Sequence, residues 1–338
     1  MFSFALGVGT KDRAGNWLEV YFPQPQLNPD TNTIAPLIAK TGYSGGNCAL
    51  ALSSVDVSEC TREVTDPALK QLLERLQTTD RPLVAVFLER DDKLSSVPEA
   101  YLKLHLLSHR LVKPHGINLD GIFPCLPNNA WTSEGAIALD ELAARQLQAR
   151  LDGRTLEVFS VDKFPKMTNY VVPSGVRIAD TARVRLGAYI GEGTTIMHEG
   201  FVNFNAGTAG TAMIEGRISA GVFVGNNSDL GGGCSIMGTL SGGGKEVISV
   251  GENCLIGANA GLGFPLGDRC TIESGLYVSA GTKVTILDSG LNPVEVVKAR
   301  ELSGKSDLLF LRNSNTGVVE CRTNKSKVEL NAELHSHN

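Results

Sequence analysis

The stretch VPSGVRIADTARVRLGAYIGEGTTIMHEGFV, residues 172–202, carries an aliphatic side chain at every sixth position: Val172, Ile178, Val184, Ile190, Ile196 and Val202. The phase slips at 205–213 and resumes with Ile218, Val224, Leu230 and Ile236. It slips again at 241–245, resumes at Val250, Ile256 and Leu262, and ends in the set Leu266, Ile272, Val278 and Val284. Gly follows the aliphatic residue at positions 190, 224, 230, 250, 256, 262 and 266. A six-residue period is the pattern of a parallel β-helix, in which each unit gives one short strand and one turn and three units close a triangular coil. The aliphatic residue points inward onto its equivalent one coil below. Gly and Asn suit the turns, whose backbones need left-handed or close-packed conformations. An antiparallel protein with alternating Val and Ile would have a period of two and would not hold this phase. The first two slips read as inserted loops, both Gly-rich and polar, and loops leaving a rigid solenoid are where function concentrates.

On either side of the grid the character differs. The segment before it, residues 1–165, reads as an α/β domain. Asp66-Pro67 is a helix start, with Leu69, Leu72, Leu73 and Leu76 following at helical spacing. Leu83–Leu88 reads as a short buried strand. Pro98 opens a second helix with Leu102, Leu106 and His109 on one face. Thr132 or Ser133 is expected to cap a third, running through Leu139, Leu142 and Leu147 to Gly153, and Leu156–Val161 reads as a strand. The coil is expected over 166–290 and a small C-terminal β region over 291–338. Its expected strands are Val294–Leu302, Leu308–Asn313, Val318–Cys321 and Val328–Leu330, with a turn at Asn315-Thr316-Gly317.

Composition bounds the function. The 338 residues are 42% hydrophobic with a net charge of −5, and no basic run interleaved with aromatics marks a nucleic-acid surface. No apolar stretch reaches the roughly 20 residues that span a bilayer, and the first residues lack the features of a signal peptide. The seven cysteines, an odd number at long spacings without a C-x-x-C pair, fit small core residues in a reducing cytosol better than disulfides or zinc. The expected location is therefore the cytoplasm, with partners that are neither nucleic acid nor membrane.

Four strings go beyond the generic grid: Met197–Asn203 (MHEGFVN), Ile214–Gly221 (IEGRISAG), Ser235–Gly244 (SIMGTLSGGG) and Val297–Leu302 (VKAREL). With them, the chain from about Tyr101 onward resembles the tetrahydrodipicolinate N-succinyltransferases, in the actinobacterial and pseudomonad branch of the hexapeptide-repeat acyltransferases. The resemblance implies a left-handed β-helix, a homotrimer, and succinyl-CoA as co-substrate with no tightly bound cofactor. It implies transfer of a succinyl group to tetrahydrodipicolinate on the way to diaminopimelate and lysine. Acyl transfer to an amine needs a group to take the amine's proton and donors to hold the tetrahedral oxyanion. Glu215 matches the family's catalytic glutamate, as general base or as transient acyl-anhydride nucleophile, and Gly238 matches the oxyanion donor through its backbone N–H.

The same resemblance implies donor-binding positions. Arg217 and Ser235 match residues near the succinyl carboxylate, where an Arg fork suits a terminal carboxylate. Gly232, Ala258, Glu273, Ser274 and Gly281 match positions lining the donor groove. Lys298, Leu311, Arg312, Asn313 and Ser314 match the segment meeting the CoA end. Leu311 stands where relatives have Arg, which removes one phosphate contact, and Ser274 stands where relatives often have Ala. Glu199 matches a magnesium ligand on the trimer axis, but the partner Asp of some relatives is Ala182 here. His198 is the other base candidate. The competing expectations are another hexapeptide acyltransferase, which commonly uses a coil His, or a non-catalytic zinc-binding scaffold, which needs several. The coil offers His198 alone.

Overall fold

In the computed structural model, which describes residues 1–238 and 246–324, the six-residue grid closes into three parallel faces. The first carries Arg177–Ile178, Thr194–Ile196, Ala212–Ile214, Ser228–Leu230, Leu255–Ile256 and Thr271–Ile272. The second carries Phe201–Val202, Arg217–Ile218, Ser235–Ile236, Gly261–Gly263 and Tyr277–Ser279. The third carries Ala188–Ile190, Ala206–Thr208, Phe223–Val224 and Ser249–Val250. Ile196, Ile214, Leu230, Ile256 and Ile272 pair in register up the first face and are fully buried. Val202, Ile218, Ile236, Leu262 and Val278 do the same on the second. Each such side chain contributes about 1.5–3 kcal/mol on leaving water, so a shift of phase would forfeit the whole stack.

The structure corrects the first slip. No loop is inserted at 205–213: Thr208 occupies the grid position after Val202, pairing with Ile190 below and Val224 above, and Ile214 occupies the next. A hydroxyl hid the position. Thr208 is wholly buried and its hydroxyl lies 2.8 Å from Thr194 Oγ1. Thr194 spends its own proton on the Gly210 carbonyl at 2.6 Å, so Thr208 is the donor between them, and its oxygen accepts from the Gly191 N–H at 3.1 Å. A satisfied relay replaces an aliphatic contact. The true irregularity lies between Ile214 and Ile218, where three residues make a corner that elsewhere on this edge takes five. Val172, 72% exposed, lies outside the coil. The second slip, at 241–245, lies outside the described residues.

The expected C-terminal strands form at Pro293–Lys298, Leu308–Arg312 and Val319–Thr323, with a 3-10 turn at Ala299–Leu302 in place of the end of the first. They extend the coil's first face: Leu308–Arg312 pairs in parallel with Thr271–Ile272 and sets Phe310 on Ile272. Gly317 turns with φ +75° and donates to the Asn313 carbonyl. The expected strand Val328–Leu330 lies outside the described residues.

The chain divides into two units, Met1–Leu106 with Gly116–Pro165, and Leu107–His115 with the chain from Lys166 onward. In the second unit, Ser108 Oγ donates to the Ala188 carbonyl, Arg110 Nε to that of Ile190 at 2.6 Å, and His115 Nε2 to that of Gly221 at 2.6 Å. The first unit has an antiparallel sheet in the order Trp17–Tyr21, Ser3–Lys11, Leu83–Leu88, Cys48–Leu52. Helices Ala35–Thr41, Ser54–Glu63 and Pro67–Leu76 bury Leu37, Val57, Leu69 and Leu73 against its Phe4, Leu6 and Phe87. Asp66 caps the third of these as expected, accepting from Leu69 N at 2.8 Å. Leu83–Leu88 is buried at all six positions. Helix Val97–Ser108 stops one residue short of His109. Thr132 and Ser133 do not cap the next helix. Asn129–Thr132 and Gly135–Ala138 form a hairpin, and Leu139–Leu151 starts after Ala138 with no side-chain cap. Gly135, at φ +97°, lets the chain turn there, and Thr132 Oγ1 donates to its carbonyl, so the expected cap works inside the hairpin.

Candidate active site

The edge between the first and second faces is built from a repeated corner. Five residues separate Ile196 from Val202, Leu230 from Ile236, Ile256 from Leu262 and Ile272 from Val278. The left-handed backbones of Gly233 (φ +71°), Asn259 (+57°) and Gly275 (+74°) lie one above another at its tip. Between Ile214 and Ile218 stand only Glu215, Gly216 and Arg217, so that coil cuts the corner and leaves a notch in the edge. The notch has a volume of about 400 Å³ and is lined by Arg183, Glu199, Phe201, Gly216, Arg217, Gly233, Cys234 and Ser235.

The cut corner fixes its own residues. Glu215 donates its N–H to the Leu230 carbonyl and accepts through its carbonyl from Gly233 N, and its Oε2 faces Gly232, 3.6 Å from where a Cβ would stand. Gly216 lies beneath Cys234, whose Sγ would clash with any Cβ at position 216. Burial, with the Glu215 carboxylate second, pushes the Cys234 thiol up to about 12, so it is a packing group and not a nucleophile. The exposed Arg217 gives Nε (3.2 Å) and Nη2 (2.7 Å) to Ser235 Oγ, its parallel partner one rung up. It pairs with that hydroxyl and not with Glu215. Because Ser235 Oγ accepts both bonds, its own proton points away from the guanidinium.

Other expected residues lie outside the notch. Gly238 is buried, its Cα facing the Ala220 carbonyl and Ser219, and its N–H donates to no described backbone carbonyl. Gly232, Ala258 and Ser274 occupy successive rungs of the edge, joined by Asn259 N to the Gly232 carbonyl and Gly275 N to that of Ala258. Arg312 follows, its N–H donated to Glu273 Oε2 at 2.8 Å and its Nη1 to the Gly317 carbonyl. At roughly 4.8 Å per rung, this line of small side chains runs about 14 Å from Gly232 to Arg312. Leu311 is half-buried beside it, Asn313 is held on Glu320 Oε1 at 2.7 Å, and Ser314 is exposed. Gly281 and Lys298 form a separate exposed group, where Ala299 N meets the Thr282 carbonyl. Glu199 stands on the lower lip of the notch, its Oε1 3.0 Å from His198 Nε2.

Sequence reasoning missed Arg183, Phe201, Gly216, Gly233 and Cys234. The spacing of four between Ile214 and Ile218 was a signal for Gly216. Arg183 and Phe201 reach the notch only through the stacking of coils.

Three family models match the chain: the tetrahydrodipicolinate N-succinyltransferase N-terminal model over residues 63–124, the corresponding middle model over 126–166, and the hexapeptide repeat of succinyl-transferase over 247–280. The chain is 66% identical over its whole length, and 99% of the relative's, to the 2,3,4,5-tetrahydropyridine-2,6-dicarboxylate N-succinyltransferase of Pseudomonas putida. It is 61% identical, at the same coverage, to the enzyme of that name from Vibrio cholerae. A crystal structure described as a 2,3,4,5-tetrahydropyridine-2-carboxylate N-succinyltransferase from Campylobacter jejuni superposes with a TM-score of 0.88 at 31% identity, covering 97% of this chain and 93% of that one.

Proposed function

The chain belongs to the tetrahydrodipicolinate N-succinyltransferases, and from that premise we propose that the notch at Glu215–Arg217 is where the acyl group changes hands. The enzyme transfers the succinyl group of succinyl-CoA to the amine of tetrahydrodipicolinate, in its open-chain 2-amino-6-oxopimelate form, giving N-succinyl-2-amino-6-oxopimelate and CoA in the lysine and diaminopimelate route.

The observation that carries the site is the shortened corner, which sets Arg217 and Ser235 in the wall of the 400 Å³ notch and places Glu215 next to them in the chain, its Oε2 toward Gly232. Glu215 takes the proton of the attacking amine as the C–N bond forms. The oxyanion needs a backbone N–H donor, the role the resemblance gives to Gly238, which stands outside the notch of its own chain, and the C–S bond then breaks to release CoA. Arg217 holds the succinyl carboxylate with its remaining N–H groups while Ser235, already an acceptor from Arg217, donates its proton to the same carboxylate. The pantetheine arm lies along Gly232, Ala258 and Ser274, with Glu273 fixing the Arg312 backbone. Arg312, Asn313 and Ser314 meet the CoA end beside Leu311, and Gly281 and Lys298 complete it.

Three chains assemble with their coils parallel, which buries solenoid walls and sets each site between neighbours. Among the described residues no three His, Cys, Asp or Glu side chains gather within one chain, and Ala182 brings no carboxylate. We propose that Glu199 of three chains would hold a magnesium ion on their common axis, where it would offset the repulsion of three carboxylates. No helix among the described residues is long and apolar enough to cross a membrane, and we propose a cytoplasmic location.

The test is thiol release from succinyl-CoA against acetyl-CoA in the presence of the acceptor. A strong succinyl preference is expected, and equal rates refute Arg217 as the selecting group. Sedimentation tests the assembly: a stable monomer at micromolar concentration removes the shared site.

A further inference from the structure

The notch contains a second guanidinium that the mechanism above leaves unused. Val184 bridges Val202 in parallel, and the register then runs through Arg217, Ser235, Gly261 and Tyr277. One outward ladder of the second face therefore reads Arg183, Phe201, Arg217, Ser235 upward. These four side chains all line the notch. Arg183 is locked: its Nε donates to the Gly200 carbonyl at 3.1 Å and its Nη2 to that of Glu199 at 2.9 Å. Two of five N–H groups hold the fork in place, and three remain for a ligand. The Glu199 carboxylate is held on His198, and only its backbone carbonyl engages Arg183, so the guanidinium charge is not consumed by that side chain.

We propose that Arg183 is the specificity-determining residue for the acceptor, binding the carboxylate next to its reacting amine while Arg217 binds that of the succinyl group. The assignment rests on the reading of the notch as the transfer site. Bond counting favours it. In the tetrahedral intermediate six bonds join the succinyl carboxylate carbon to the acceptor's α-carboxylate carbon, a span of roughly 7–8 Å when extended. Two rungs separate Arg183 from Arg217, about 10 Å of backbone, and both forks lean one rung up, onto Gly200 and Glu199 and onto Ser235, so they keep that spacing and carboxylates held between them stand within the span. The acceptor's distal carboxylate is ten bonds away, about 12 Å, and overshoots. Phe201, on the rung between, offers the intervening methylenes an apolar face and keeps a third charge out.

The experiment uses the full-length enzyme, succinyl-CoA and three amines: 2-aminopimelate, 6-aminohexanoate, which lacks the α-carboxylate, and 2-aminohexanoate, which lacks the distal one. Wild type that acylates 2-aminopimelate from succinyl-CoA and discriminates against 6-aminohexanoate supports the proposal; wild type that acylates none overturns the transfer-site reading itself. Arg183→Gln is expected to raise the KM for 2-aminopimelate by about 10- to 100-fold, the size of a charge-assisted contact, and to leave the succinyl-CoA KM unchanged. The preference for 2-aminopimelate over 6-aminohexanoate should collapse, and the preference over 2-aminohexanoate should persist. Arg183→Lys, which keeps a donor for the Glu199 and Gly200 carbonyls, should lie between the two. A merely structural Arg183 would lower turnover with all three amines alike, and that result, an unchanged acceptor KM, or a collapse of the distal preference instead, overturns the assignment.

Discussion

Gly216→Ala probes the shortened corner directly. The new Cβ would clash with Cys234 Sγ and stand 2.7 Å from the Cys234 carbonyl oxygen. Neither atom moves cheaply: Cys234 is 1% exposed, and its carbonyl accepts from Arg217 N at 2.8 Å. Overpacking of this kind costs about 1–3 kcal/mol, which for a unit of this size lowers the Tm by about 2–10 °C. Turnover should fall further than stability suggests, because the displaced backbone carries Glu215 on one side and Arg217 on the other. Cys234→Ala alone removes one buried sulfur and should cost about 1 kcal/mol. In the double variant the methyl introduced at position 216 enters the space that Sγ vacated, so the losses should not add. Thermal and denaturant unfolding of the four proteins gives the coupling, expected at about 1 kcal/mol or more in favour of the double variant. The carbonyl contact keeps the rescue partial. Additive losses would mean that the sulfur is not what excludes a side chain at 216, and that the corner is short for some other reason.

Glu215→Gln should reduce turnover by about 10²–10⁴-fold with little change in succinyl-CoA affinity, and the rate should recover partly as pH rises and more acceptor amine is neutral. An inactive variant at every pH, with a stoichiometric burst of CoA from wild type lacking acceptor, would favour the anhydride role instead. Arg217→Ala should weaken succinyl-CoA use by roughly 10- to 100-fold, with Arg217→Lys recovering only part; normal succinyl-CoA kinetics in the Ala variant would remove it as the anchor. With burial holding the Cys234 thiol up at about 12, the thiolate is scarce at neutral pH, and Cys234 should resist iodoacetamide in the native enzyme and react once unfolded, as read by mass spectrometry. Thr208→Val should cost about 0.5–1.5 kcal/mol by breaking the relay to Thr194, while the Gly191 N–H keeps the Thr208 carbonyl at 3.0 Å; an unfolding midpoint equal to wild type would show the relay to be idle.

The coil is legible in the sequence because its cause is periodic and local. Every sixth side chain must enter the same narrow core, so Ile178 through Val284 announce themselves without knowledge of what they touch. The helix at Pro67–Leu76 and the strand Leu83–Leu88 are legible for a similar reason, a cap or an apolar run contained within a few residues. Thr208 defeats such a reading because the partner that makes a buried hydroxyl acceptable, Thr194, is on another face, fourteen residues away. The hairpin at Asn129–Ala138 reads as a helix start because Thr132 has the side chain of a cap; strand pairing instead turns its hydroxyl onto the Gly135 carbonyl. Glu215, Arg217 and Ser235 can be picked out by resemblance, but not the reason they meet. That reason is a corner two residues short, flanked above and below by full ones, and it exists only when coils are stacked in register. Arg183 and Phe201 depend on the same stacking: in the chain they lie more than thirty and more than ten residues before Glu215, and in the coil they are the rungs beneath it. The amino-acid order determined the period of the fold, while the lateral hydrogen bonds between coils decided which side chains share the notch, because register converts distance along the chain into a few ångströms across it.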